Sequence, residues 1–210
     1  MFHLSIHVNK VIKLLLVILF IANVSFSLFG PLFAIFIGKF IMGATLATVG
    51  FAIAVEAVAK SVVQIPIARY LDLEKGEKDD FYAMLGGSIL GTLYPIALPF
   101  VSTTMELYLL QIMSGVGGAL LMAAYYSVFS HHLDQGRDAF EWSLLSVVGL
   151  TLSTAVGSAY GGIIADAYGF KILFLIGALL NMASVVVLMM LYPFIQKENT
   201  KSESVFLGDE

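Results

Sequence analysis

Six long apolar runs constrain this chain more than any other feature. They lie at roughly 11–37, 43–70, 81–101, 104–130, 140–166 and 170–195. Each is long enough to cross about 30 Å of hydrocarbon as an α-helix rising about 1.5 Å per residue. Strands fit poorly, because barrel strands are about 10 residues long and alternate in and out, whereas these runs are longer and apolar all round. Of the 210 residues 59% are apolar and 12% charged, and the mean hydropathy is +0.93. Soluble domains carry about 25% charged residues, so lipid must cover part of this surface. The expectation is an all-α integral membrane protein bound to the lipid bilayer, with six transmembrane helices over 11–195. Residues 1–10 form a short lead, and the polar tail at 196–210 is expected to be disordered.

The first run, Val11 to Ile37, exceeds the ~7–15-residue core of a signal peptide and is read as a retained first helix. The chain has no cysteine, which excludes disulfides, thiolate catalysis and cysteine metal sites. Lys10, Lys13, Arg69, Lys75, Lys78, Arg137, Lys197 and Lys201 fall on one side of a six-span arrangement, and Lys39 and Lys171 on the other. The positive-inside rule then places both termini in the cytoplasm.

Local signals punctuate the runs. Gly38 and Gly43 bracket the first loop, and Asp79 or Asp80 is expected to cap the third helix. Thr103 and Glu106 have capping-box spacing for the fourth. Asp138 and Glu141 sit at the expected positive end of the fifth. Gly169 separates the fifth from the sixth. Gly30-Pro31, Pro66, Pro95 and Pro99 predict kinks or early ends.

The longest interior charged stretch follows a run that carries Glu56, Lys60 and Gln64. Spacing by four lines them on one helical stripe. An unpaired charge at mid-bilayer costs about 2.5–3.5 kcal/mol or more. Glu56 before Lys60 is the favourable order for an intrahelical pair, so the two are expected to satisfy each other. The pair is open to a structural reading and to a gating or coupling one. Asn23, Gln111, Tyr125 and Tyr126 are further polar groups on apolar runs. Asn23 and Gln111 suit either a solute or helix–helix hydrogen bonds, and Asn181 a scaffold bond. His3 and His7 are four apart, and His131, His132 and Asp134 are clustered. Neither group has a full ligand arrangement, so no metal site and no cofactor is expected. No HExxH, GxSxG or P-loop pattern occurs, which leaves intramembrane hydrolysis and ATP-driven pumping without support. The chain is not expected to be an enzyme or to bind nucleic acid.

A faint internal repeat relates PIARYLD at 66–72 to GGIIAD at 161–166, each followed by a glycine, charge and an apolar run. It would superpose the second helix on the fifth, giving two three-helix units, a symmetry that transporter folds show.

At these residues the chain resembles one half of a major facilitator superfamily transporter. The family's fifth-helix motif, G-x-x-x-G-P-x-x-G-G, is met by Gly157, Gly161 and Gly162, with Ser153 and Ser158 in place of its first glycine and its proline. The second-loop motif, roughly G-x-x-x-D-R-x-G-R-K, is echoed by Ala68, Asp72, Gly76 and Lys78, with one residue inserted. The fourth-helix motif, R-x-x-x-G-x-G, stands as Gln111, Gly115 and Gly117. Its arginine is missing, so a proton-coupling role does not carry over to that position. The pattern is similar to small bacterial members that stop after six helices.

This resemblance implies a secondary transporter of a small-molecule solute in the bacterial cytoplasmic membrane. Asp72 would correspond to the loop aspartate that helps hold the inward gate shut. Asn23, Gln111, Tyr125 and Tyr126 would lie on helices that line the central cavity. Glu56, Lys60 and Gln64 on the second helix, and Gly157, Gly161 and Gly162 on the fifth, would lie near the contact between halves. A second copy around a two-fold axis is then the simplest partner. Two alternatives stay open: a non-transporting assembly or regulatory protein, and a subunit that pairs with a different half-size protein.

Overall fold

A computed structural model describes residues 8–73 and 76–195, all helical or connecting, with no strand among them. The expectations for His3, His7, Lys75, Lys197, Lys201 and the polar tail lie outside the described residues. Helix α1 (Lys10–Ser27) leads through a 3-10 turn at Gly30–Leu32 into α2 (Phe33–Phe40). Helices α3 (Leu46–Leu73), α4 (Lys78–Ala97) and α5 (Thr104–His131) follow. Then come α6 (Asp138–Leu144), a π-helical stretch (Leu145–Leu152) and α7 (Ser153–Met189).

Local chemistry explains most boundaries. Asn9 caps α1, its side chain accepting from the Ile12 N–H at 2.9 Å. At α5 both arms of the capping box are present: the Glu106 N–H donates to Thr103 Oγ1 at 3.3 Å, and the Thr103 N–H to Glu106 Oε2 at 3.0 Å. Gly30-Pro31 converts the chain to a 3-10 turn, and Leu98-Pro99-Phe100 does the same after α4. At Pro66 the helix does not end early, since α3 continues to Leu73. The capping expectation fails. Asp79 and Asp80 occupy the first turn of α4 rather than capping it; Glu77 holds the cap position, without a side-chain cap bond.

Among the described residues five helical stretches are long and apolar enough to cross a membrane, and the last, Asp138–Ile195, has 58 residues. Straight, those 58 residues would run about 87 Å, far beyond one bilayer. Gly169 breaks the stretch with φ 79° and ψ 173°, a backbone region essentially reserved for glycine. Residues on either side pack on α1 in opposite senses. Gly157 lies against Val24 and Ser27, and Gly161 against Leu28, so both chains ascend together. Beyond the break, Phe170 meets Phe36, Phe174 meets Phe29, and Gly177 meets Ser25 and Phe29, so the chains run against each other. The chain therefore doubles back at Gly169, as the sequence suggests.

Two apolar clusters fill the bundle. One joins Ile12, Leu15, Met84, Tyr125, Phe129 and Leu188. The other joins Phe29, Phe36, Tyr94, Leu98, Leu107 and Phe174, with Phe36 edge-on to Phe174 at 4.9 Å between ring centres. In lipid no hydrophobic force drives helices together, so small residues that permit close packing matter most. Gly115 seats α5 on α3, where a Cβ would stand 2.5 Å from the Glu56 carbonyl oxygen. Gly87 and Gly117 seat α4 on α5, and Gly157 and Gly161 seat α7 on α1.

Candidate functional site

The polar residues within the apolar helices gather at the seam between α3 and α5. The two helices ascend in register: Ala52 beside Gln111, Glu56 beside Ser114, Lys60 beside Gly118. Ser114 Oγ donates to Glu56 Oε1 at 2.8 Å, and Gln111 Nε2 approaches Glu56 Oε2 at 3.5 Å. Gln111 Nε2 also donates to the Ala52 carbonyl at 3.2 Å, while its Oε1 accepts from the Tyr94 hydroxyl of α4 at 2.7 Å. Gln111 and Tyr94 are almost wholly buried, and the carbonyl acceptor fixes which end of the amide is nitrogen. The result is one buried chain of donors, Tyr94 to Gln111 to Glu56, closed from the other side by Ser114.

The expected direct Glu56–Lys60 contact is not formed, although the Lys60 charge acts on Glu56 through space. No ion-pair contact joins them among the described residues. The close seating at Gly115 brings neutral donors of α5 onto the carboxylate, and these satisfy it across the helix–helix seam. Glu56 and the Lys60 stem therefore lie against α5 of their own chain. The Lys60 stem lies along Gly118, where a Cβ would be 3.7 Å from Lys60 Cδ and 3.9 Å from Cε. Gln64 is half-buried further along α3, and Asp72 is exposed near its end.

Asn23 belongs to a second polar seam, between α1 and the π-helical stretch. Its Nδ2 lies 3.0 Å from the Leu150 carbonyl, 2.7 Å from Ser153 Oγ and 2.8 Å from Thr154 Oγ1, three acceptors for two hydrogens. Ser153 Oγ donates in turn to the carbonyls of Gly149 and Leu150. π turns concentrate at functional sites. Asn23 and Gln111 therefore sit in different seams.

The tyrosines divide. Tyr125 is fully buried, stacked on Phe129 at 5.9 Å, and its hydroxyl has no hydrogen-bond partner among the described residues. It is a core residue, which corrects its reading as a cavity contact: adjacent positions on a helix point about 100° apart, and only Tyr126 reaches the surface. Tyr126 is exposed and packs beside Trp142. Gly157 and Gly161 are also corrected as self-association residues, because their close contacts are with α1 of the same chain. Gly162 meets nothing within 4 Å. Asn181 of α7 lies against Gly91 of α4, its amide nitrogen 2.9 Å from where a Cβ would stand, and its own Oδ1 accepts from Ser184 Oγ at 3.1 Å.

At the end of the bundle where α5 finishes, Glu77 joins the two loop histidines. Its Oε1 lies 3.4 Å from His131 Nδ1 and 3.3 Å from His132 Nδ1. Asn9 ties the same loop to α1 through Asp134 Oδ1 at 3.2 Å, and the Asp134 N–H donates to Glu141 Oε2 at 3.1 Å. Among the described residues no cluster of three His, Asp or Glu side chains is placed to hold a metal ion. Tyr94, Ser114 and Glu77 are the residues that sequence reasoning passed over. Ser114 stood three residues from Gln111, beside the glycines that seat α5 on α3, and that spacing was a usable signal.

A search of curated proteins finds no match. The family model of the Major Facilitator Superfamily matches residues 15–207.

Proposed function

This chain belongs to the Major Facilitator Superfamily, and we propose that it works as a half-size secondary transporter of a small solute. In this reading the chain crosses the bilayer six times, with Gly169 as the turn between the last two crossings and both termini in the cytoplasm. It belongs in the bacterial cytoplasmic membrane and acts as a homodimer. Two six-helix bundles rock about a midplane solute site at their interface, giving alternating access.

The observation that carries this reading is the Glu56 seam. A carboxylate near the middle of α3, held by Ser114 and Gln111, is costly in hydrocarbon and marks a solute or ion path by default. Glu56 is the first candidate for proton coupling. The glycine seams support two three-helix units. Gly87 and Gly117 seat α4 on α5, and Gly177 seats the last arm of α7 on α1, while Gly91 and Asn181 join α4 to that arm. Exchanging the first three crossings with the last three maps the first of these seams onto the second and returns the third to itself.

The second copy is supported by α3. Only Thr48, Ala52 and Leu71 of its 28 residues are buried, and Gly50, like Gly162, meets nothing within 4 Å. Native mass measurement in lipid nanodiscs tests the dimer, and solute uptake into proteoliposomes tests transport. A monomer would remove the twelve-helix mechanism. A dimer without uptake would favour a non-transporting assembly protein. A mass reached only with a second, different chain would favour a heterologous pair.

A further inference from the structure

Lys60 stands at the midpoint of α3 (Leu46–Leu73), a helix about 42 Å long at about 1.5 Å per residue. With α3 centred in a hydrocarbon layer about 30 Å thick, the headgroups begin about 15 Å away, beyond the reach of a four-carbon stem. Its stem is held against α5 by the space over Gly118. Among the described residues it takes part in no hydrogen bond and no ion-pair contact. Glu56, one helical turn back, acts on it through space but spends its own oxygens on Ser114 and Gln111. The facing positions of α5 are Gln111, Ser114, Gly115 and Gly118, none of them titratable. Tyr94 of α4 is the remaining titratable group coupled to Glu56. A half-buried cation at this depth calls for an anion whenever the acid one turn back is neutral.

We propose that Lys60 is the anion-recognition residue of the transport path, that its ligand is a small anionic solute, and that Glu56 links anion binding to a proton. The proposal rests on the transporter reading above. With Glu56 ionised, the acid and the base one turn apart balance. When Glu56 takes up a proton, the Lys60 charge is left over, and an anion restores neutrality at low dielectric. Proton and anion then favour each other's binding by the same factor. One proton and one monoanion cross together with no net charge moved.

The test is thermal unfolding of the purified protein in nanodiscs with sodium benzoate, sodium phosphate or sodium chloride at matched ionic strength, in mildly acidic and in alkaline buffer. We expect stabilisation that differs among the three anions and shrinks in alkaline buffer. K60M should lose the whole anion-dependent shift, K60R should keep it, and E56Q should show the same shift in both buffers. Should K60M fail to fold, wild-type protein decides: labelling of Lys60 by an amine-reactive reagent, read by mass spectrometry, should slow in the stabilising anion. Equal effects of all three anions, a shift that persists in K60M, or labelling indifferent to anions would overturn the proposal. Proteoliposome uptake of the stabilising anion separates the two readings. Absent uptake with an intact, Lys60-dependent shift removes transport and leaves the anion site. Uptake unaltered in K60M removes the anion site and leaves transport.

Discussion

Ser114 Oγ on α5 donates to Glu56 Oε1 on α3 across 2.8 Å, and this bond does what a lysine four residues away might have done. The two helices come close enough because position 115 is glycine, with the Glu56 carbonyl and the Lys60 N–H where a side chain would be. Buried carboxylates need donors more than they need counter-charges. Neutral donors fixed on a neighbouring helix supply them without the ordering of a long, flexible lysine.

The Glu56–Ser114 bond should be measurable as a coupling. Ser114→Ala and Glu56→Gln, singly and together, form a double-mutant cycle read by unfolding in lipid or detergent. Hydrogen bonds between membrane helices average about 0.6 kcal/mol and reach about 1.7. A coupling of about 1 kcal/mol is expected here, since one partner is a carboxylate. Strict additivity of the two changes would show that the bond contributes nothing. Lys60→Met in the same assay should not reproduce the loss, because Ser114 and Gln111, not Lys60, contact the carboxylate.

Gly161 and Gly162 are adjacent and should respond oppositely. A Cβ at 161 would overlap the Leu28 carbonyl, while one at 162 meets nothing within 4 Å. Gly161→Ala must push α7 off α1, at a cost of roughly 1–3 kcal/mol for overpacking. Gly162→Ala should gain about 0.5–1 kcal/mol from helix propensity. Both are read from thermal unfolding. If a second copy packs at 162, Gly162→Leu lowers the dimer fraction while leaving the monomer's unfolding unchanged.

Much of this was legible in the residues. Length and hydropathy gave the helices, and Thr103 with Glu106 gave the α5 boundary, because capping depends on neighbours three residues apart. Gly169 announced the reversal for a similar reason. The partners of Glu56 were not legible. Its stripe named Lys60, the residue nearest in sequence, but which helix covers that stripe depends on glycines 55 to 60 residues away in the chain. The same ignorance sent Gly161 to a partner subunit, when its neighbour is α1. Pro66 does not end α3, because a proline ends a helix only where its lost hydrogen bond has no remedy, and membrane helices supply several.

Gly169 holds a conformation, φ 79° and ψ 173°, that an L-residue adopts at a cost of about 1–3 kcal/mol. Nothing stands within 4 Å of a Cβ there, so Gly169→Ala isolates the backbone term. Unfolding should shift by that amount, without the repacking losses of Gly161→Ala. An unchanged midpoint would mean that the reversal is made elsewhere.

Glu77 supplies the last prediction. It is 6% exposed, and its Oε1 lies within 3.4 Å of Nδ1 on both His131 and His132. The His132 Nδ1 also lies 3.0 Å from the Val128 carbonyl. In the tautomer protonated at Nδ1 this nitrogen donates to the carbonyl, with the Glu77 carboxylate beside it as a second acceptor. The loop before α4 is thereby fastened to the last turn of α5, and through Asn9 and Asp134 to the start of α1. Glu77→Ala removes the shared acceptor and leaves two imidazoles beside an apolar gap. Hydrogen exchange should quicken across 76–80 and 131–137, while the Leu15–Leu19 segment of α1, deep in the core, keeps its protection. His132→Ala should quicken the same segments less, since the His131–Glu77 contact remains, and adding it to Glu77→Ala should do little more. If exchange at 131–137 stays at the wild-type rate in Glu77→Ala, the loop is fastened by Asn9 and Glu141 alone.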